Sequence, residues 1–121
     1  MATNYVQQGA TIAWTNAGTA VSSGDVVVIG AMLGVALVDI ANGAAGSVAI
    51  EGVYTVDKLD AAVIAVGTFV SWDSSGSVFD DASMTGATGD VKTGATAMET
   101  KGATTSETID IKLLGAPGVL S

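Results

Sequence analysis

The sequence has no cysteine, no histidine and no arginine, a single proline, and only six aromatic residues among 121: two each of Trp, Tyr and Phe. Without cysteine there is no disulfide framework, no zinc-finger spacing and no catalytic thiol. Without histidine the commonest general base and the commonest transition-metal ligand are gone, and a Ser-His-Asp triad is impossible. Four lysines stand against twelve acidic residues, for a formal charge of −8. Such a chain lacks the basic footprint that phosphate backbones require and the basic patch that anionic membranes attract. Nucleic acid and membrane are therefore excluded as partners, and proteins remain. No Gly-x-x-x-x-Gly-Lys-Ser/Thr run follows any glycine, so a P-loop is absent, and no Asp-x-Asp-x-Asp-Gly loop with a distal Glu suggests a calcium hand. No cofactor and no metal is implied. The longest apolar run, between Asp25 and Asp39, is interrupted by Gly30 and Gly34 and is too short to span a bilayer. The N-terminal residues lack a basic segment followed by an apolar one, so the chain reads as a soluble protein made in a cytoplasm.

What is present is small and β-prone. The hydrophobic fraction of 49% is inflated by alanine, and sixteen glycines with many Ser and Thr punctuate short apolar runs. This pattern predicts an all-β chain with thin, close-packed layers and frequent tight turns. The length suits one domain with a real core. We place that domain at residues 9–114, preceded by an extended N-terminal arm, 1–8, and followed by a loosely held tail, 115–121.

Residues 22–58 organise the chain. They hold three apolar runs, VVVIG, LGVALV and SVAIEGVYTV, separated by Gly, Asn and Asp turns, one of them the segment DIANGAAG. Residues 11–14 read as a short strand before these. Residues 47–56 read as one longer strand, with Glu51–Gly52 marking a bulge or bend. Between 61 and 66 a short helical turn competes with strand. Further strands are expected at 68–73 and, after a Ser-Ser-Gly turn, over SVF; 80–89 reads as a surface loop. Residues 94–100 form a strand, and 107–113 alternate cleanly, placing Ile109, Ile111 and Leu113 in the core with Asp110 and Lys112 facing water. The stretch from Gly34 to Ile50 echoes that from Gly94 to Ile111: short strand, acidic residue, Gly turn, longer strand. If real, the echo favours a barrel or sandwich of two similar hairpins.

Little of this pattern bears chemistry. Asp80 and Asp81 are adjacent and point to opposite faces of an extended chain, so they do not converge on one proton or one metal. A Ser–Lys pair around Lys58 is open on composition alone, although Lys58 at a strand end suits snorkelling or pairing with Asp57, Asp60 or Glu51. Trp14, Trp72, Tyr5 and Tyr54 suit core or interface anchors. The expectation is that the protein is not an enzyme. A virion-surface binding module, such as a host or glycan adhesin using aromatics of the 72–79 hairpin, is the alternative.

The ordered series Ser23-Gly24-Asp25 before VVVIG, then LGVALVDIANGAAG, IEGVYTVDK, VGTFVSWD, GATAMET and a final IDIKL resembles the DUF2190 family of tailed-phage and prophage capsid cement, or head decoration, proteins. The resemblance runs from about Tyr5 to Leu114. It implies a compact sandwich or barrel of jelly-roll type on the outer surface of a phage head, with the major capsid protein as partner and self-association as a homodimer or homotrimer. GATAMET is more polar than the resemblance leads one to expect, which bears on its burial. Because an unpaired strand can complete a neighbour's sheet edge, the expected capsid and oligomer contacts are Ala2, Thr3, Asn4, Tyr5, Val6, Gln7 and Gln8 of the arm, together with Trp14.

Overall fold

A computed structural model describes residues 9–103 and 108–121. Among the described residues there is no helix, and ten strands run in chain order: β1 (Thr11–Thr15), β2 (Val26–Ile29), β3 (Met32–Ala36), β4 (Ala45–Ala49), β5 (Glu51–Asp57), β6 (Phe69–Asp73), β7 (Val78–Asp81), β8 (Val91–Ala97), β9 (Thr108–Leu114) and β10 (Val119–Leu120). They form two packed antiparallel sheets. The smaller has the order β1-β4-β3-β2 and the larger β5-β9-β8-β6-β7, with β10 added on β8. Of the two expected architectures this is the sandwich. A parallel bridge between Lys58 and Phe79 ties the end of β5 to β7, but the larger sheet does not close into a barrel.

The two sheets answer two different sequence patterns. Val26, Val28, Leu33, Val35 and Ala49 of the small sheet pack on the large one, in a core with Val70, Trp72, Phe79, Val91, Ile109, Ile111 and Leu113. The alternate residues Val27, Ala36 and Val48 are buried on the opposite face, in a second cluster with Ile40 and the partly buried Trp14, Val21 and Ile29. A sheet covered on both faces reads as continuous apolar sequence, which is why VVVI carries no polar alternation. In β9 only one face is covered, and the expected alternation holds: Ile109, Ile111 and Leu113 are buried while Lys112 is exposed and Asp110 half-buried.

The segment 47–56 is not one bent strand. It is the crossing point between the sheets: β4 ends at Ala49, β5 begins at Glu51, and Gly52 sits at φ +114 just after the turn. The helical turn considered at 61–66 is absent; Ala62 and Ile64 are buried instead, and Ile64 exchanges main-chain hydrogen bonds with Lys101. The loop expected at 80–89 starts later, since Asp80 and Asp81 belong to β7, and its Met84 is buried. The two echoing stretches are both antiparallel hairpins, β3–β4 in the small sheet and β8–β9 in the large one.

β8 carries the joint between the layers. Its pairing with β6 shifts between Val70↔Ala95 and Trp72↔Val91, so one residue of β6, Ser71, faces three of β8. Thr93, inside this bulge, has φ +54, a strained value for a β-branched residue, and its N–H donates to the buried Ser71 Oγ at 3.1 Å. Gly94 beside it, within GATAMET, is buried against Leu33 of the small sheet: a Cβ there would stand 2.7 Å from Leu33 Cδ1. Ala95 and Ala97 are fully buried as well.

The tail is not loosely held. After a bend at 115–118 the chain continues the line of β9 along β8, with Val119 opposite Lys92 and Leu120 opposite Val91. Gly118 N–H donates to Ala31 O at 2.8 Å, fastening the tail to the β2–β3 turn of the other sheet. A Cβ at Gly118 would run into the Lys92 carbonyl and stand 2.9 Å from Gly94 Cα, so main chain, which is costly to displace, would have to shift. Gly118→Ala is therefore expected to destabilise the fold by about 1–3 kcal/mol, as overpacking does. Urea unfolding checks the magnitude, and hydrogen exchange should show the loss of protection centred on Val91 and Lys92.

Candidate functional site

The reactive group that the sequence left open, Lys58, is structural in its surroundings. Lys58 is among the largest fully buried side chains, so it does not snorkel. Its Nζ donates to the carbonyls of Ala62 at 2.6 Å, Leu59 at 2.7 Å and Asp60 at 3.3 Å. An ammonium has three N–H donors, and these three acceptors take them all. Lys58 thereby pins the 59–62 loop from within, and it presents no N–H to a serine. The expected snorkelling is corrected by depth: the strand end turns inward, where the main-chain carbonyls of residues 59, 60 and 62 need a donor.

Asp90 plays the matching role at another corner. It is buried; Oδ1 accepts the Ser74 N–H and Ser74 Oγ–H, both at 2.9 Å, and Oδ2 accepts the Ala87 N–H at 2.8 Å. The Ala87 amide first, then the Ser74 amide, favour the charged carboxylate; with the Ser74 hydroxyl they outweigh the opposing pull of burial and hold its pKa below the usual carboxylate value. Its main-chain carbonyl also accepts Ser121 N–H at 2.9 Å, so one residue joins the β6–β7 turn, the 82–90 loop and the tail.

Asp80 and Asp81 do not converge: Asp80 Oδ1 accepts the Asp81 N–H, while Asp81 Oδ1 accepts from Ser83. Among the described residues no group of three or more acidic side chains is placed to hold a metal ion. A cleft of about 390 Å³ opens between the sheet edges, lined by Asp25, Thr55, Asp57, Trp72 and Ser77 among others. Asp25 Oδ2 already accepts the Ser22 N–H there at 2.9 Å. Trp72 and Phe79 pack ring to ring, centroids 5.0 Å apart, and both are core residues. The 72–79 hairpin therefore offers no exposed aromatic ring for a glycan.

Surface contact has more support. The arm residues, Ala2 to Gln8, lie outside the described residues. Trp14 is half-buried in β1, against the second cluster of the small sheet, on an edge strand. Ala10 O accepts from Ile50 N–H and Asn16 N–H donates to Ala44 O, so even-numbered residues of β1 face β4. Alternation directs the N–H and C=O of Ala13 and Thr15 outward, along the open edge. The second surface was not found from the sequence. On the outward face of the large sheet, Val53, Lys112, Thr96 and Phe69 align in register across β5, β9, β8 and β6. Val53 and Phe69 are 53% and 50% exposed, and Met98, just past β8, is 44% exposed. Val66 extends this surface at 58%, its N–H donating to Thr100 Oγ1 at 3.0 Å. The alternating pattern of β9 signalled a wet face, but which residues of other strands share it depends on register.

Two measurements test the buried polar groups. Lys58→Met should cost about 2–4 kcal/mol in urea unfolding, because it strips a donor from carbonyls that burial keeps from water. For Asp90 the folded pKa is lowered, so its contribution is complete above the unfolded value of about 3.9 and is lost as pH falls through the lower folded value. Asp90→Asn places an amide NH₂ or loses an acceptor opposite one N–H, so it should melt earlier than the parent at neutral pH. That gap should close as the pH is taken progressively below the ordinary carboxylate range.

A family model described as phage cement protein matches residues 6–113 of the chain. No curated protein and no solved structure matches it.

Proposed function

Because the chain belongs to the phage cement protein family, we propose that this bacteriophage structural protein binds the outer surface of the assembled major capsid protein lattice and stabilises the head. The observation that carries the reading is the family match over nearly the whole domain. The outward face of the large sheet supports it: it exposes Val53, Phe69 and Met98, with Lys112 and Thr96 lying between Val53 and Phe69, a mixed apolar and polar face that suits protein contact. Charge supports it too, since a chain of −8 has no use for packaged nucleic acid and suits the outside of a shell.

Cementing of this kind works by mass action. A protein that binds the assembled lattice and not its free subunits stabilises the lattice by the free energy of binding. Association as a homodimer or homotrimer multiplies modest contacts through avidity. The arm, residues 2–8, adds a strand to an exposed sheet edge of a neighbour, and Trp14 braces the strand from which the arm departs. The chemistry is contact alone: the protein is not an enzyme, and Lys58 and the carboxylates serve the fold.

Purified protein mixed with undecorated, expanded heads should co-sediment with them and raise their melting temperature; absence of both effects overturns the proposal. Deletion of residues 2–8 and the substitution Phe69→Asp should each leave the domain folded and weaken head attachment severalfold. Attachment as tight as the parent's would remove that segment or that face from the contact.

A further inference from the structure

The turn that follows Ile40 holds an Asn–Gly pair, Asn42–Gly43, on the surface of the protein. In an Asn–Gly sequence the following amide nitrogen meets no side chain in its way, so it can attack the asparagine side-chain carbonyl. Here that nitrogen is occupied. Gly43 N–H donates to Asn16 O at 2.6 Å, and Asn16 N–H returns a bond to Ala44 O at 2.9 Å. Gly43 is held at φ +81, and Ala44 N–H closes the turn on Ala41 O at 3.0 Å. Asn16 is itself anchored: 2% exposed, its Nδ2 donates to Thr19 O and Ile40 O, and its Oδ1 accepts the Gly18 N–H. The exposed, reaction-prone pair is thus tied to a buried, fully bonded asparagine.

We propose that Asn42–Gly43 is a conditional modification site, closed to deamidation while the Asn16 carbonyl holds the Gly43 N–H and opened when the 40–44 loop lets go. The reaction needs only water and a solvent base. The base takes the Gly43 amide proton, the nitrogen forms a bond to Asn42 Cγ, and the Cγ–Nδ2 bond breaks with ammonia leaving. Water then opens the succinimide at either carbonyl, leaving aspartate or isoaspartate at position 42 and one more negative charge. The isoaspartyl product lengthens the main chain by one carbon inside the turn. In that product the Ala41–Ala44 closure and the two bonds to Asn16 cannot re-form in register, so a loop that has reacted to isoaspartate does not close again, whereas the aspartyl product keeps the normal main chain.

Peptide mapping by mass spectrometry tests this in mildly alkaline buffer on three samples: the folded protein, the protein in urea, and Asn16→Ala. Asn42 should deamidate roughly tenfold or more slowly in the folded protein than in urea, since at least one buried-anchor hydrogen bond must be broken first. In urea Asn42 should react ahead of Asn16, which precedes Ala17. Asn16→Ala should react at a rate between the two extremes; if it fails to fold, the comparison of folded protein with urea decides alone. Equal rates in folded and unfolded protein, or no preference for Asn42 over Asn16 in urea, would overturn the proposal. Protein modified in urea and then returned to buffer should show a lower melting temperature than an unmodified control carried through the same steps, and Asn42→Gln should abolish both the modification and that loss.

Discussion

A four-stranded sheet that must bury both of its faces is the constraint on which the rest of this protein depends. With two Trp, two Tyr and two Phe in the whole chain, no single aromatic layer can fill the interior. The small sheet supplies Val, Leu and Ala to both sides instead. One face meets the large sheet and the other is covered by Val21 and Ile40, with Trp14 of β1 packed in the same cluster. Thin layers of this kind need backbones in close approach, which explains the placement of Leu33 directly over Gly94 and of Gly118 over the Lys92 carbonyl. The strained Thr93 belongs to the same arrangement, because the bulge it occupies brings β8 up to the small sheet.

Disulfides are absent and helices do not occur among the described residues, so buried polar side chains hold the loops. Lys58 gathers three carbonyls of the 59–62 loop, Asp90 gathers amides from two loops, and Asn16 joins the 16–19 segment to Ile40. Each is satisfied, which is the condition under which a buried polar group stabilises rather than weakens a core. These contacts occupy the Lys58 ammonium, the Asp90 carboxylate and the Asn16 amide. Among the described residues β1 is an edge strand, and the outward face of the large sheet carries exposed Val53, Phe69 and Met98; these are the surfaces on which the proposed contact rests. The buried polar groups that hold the loops and the surfaces proposed for contact are separate parts of the molecule.

Composition and short-range pattern by themselves determined the all-β class, the positions of most strands, the alternation of Ile109, Ile111 and Leu113, and the absence of the residues that triads, thiol chemistry and P-loops require. The ordered turns and strands also carried the family. These properties are local, because turn residues and side-chain period act within a few positions of the chain. Tertiary structure alone decided the rest. It split 47–56 between two sheets, turned Lys58 inward, drew the tail onto β8, and aligned Val53 with Phe69 on one face. Each of those outcomes depends on which strand lies beside which. That choice is made by packing between residues far apart in sequence, and no run of neighbours along the chain encodes it.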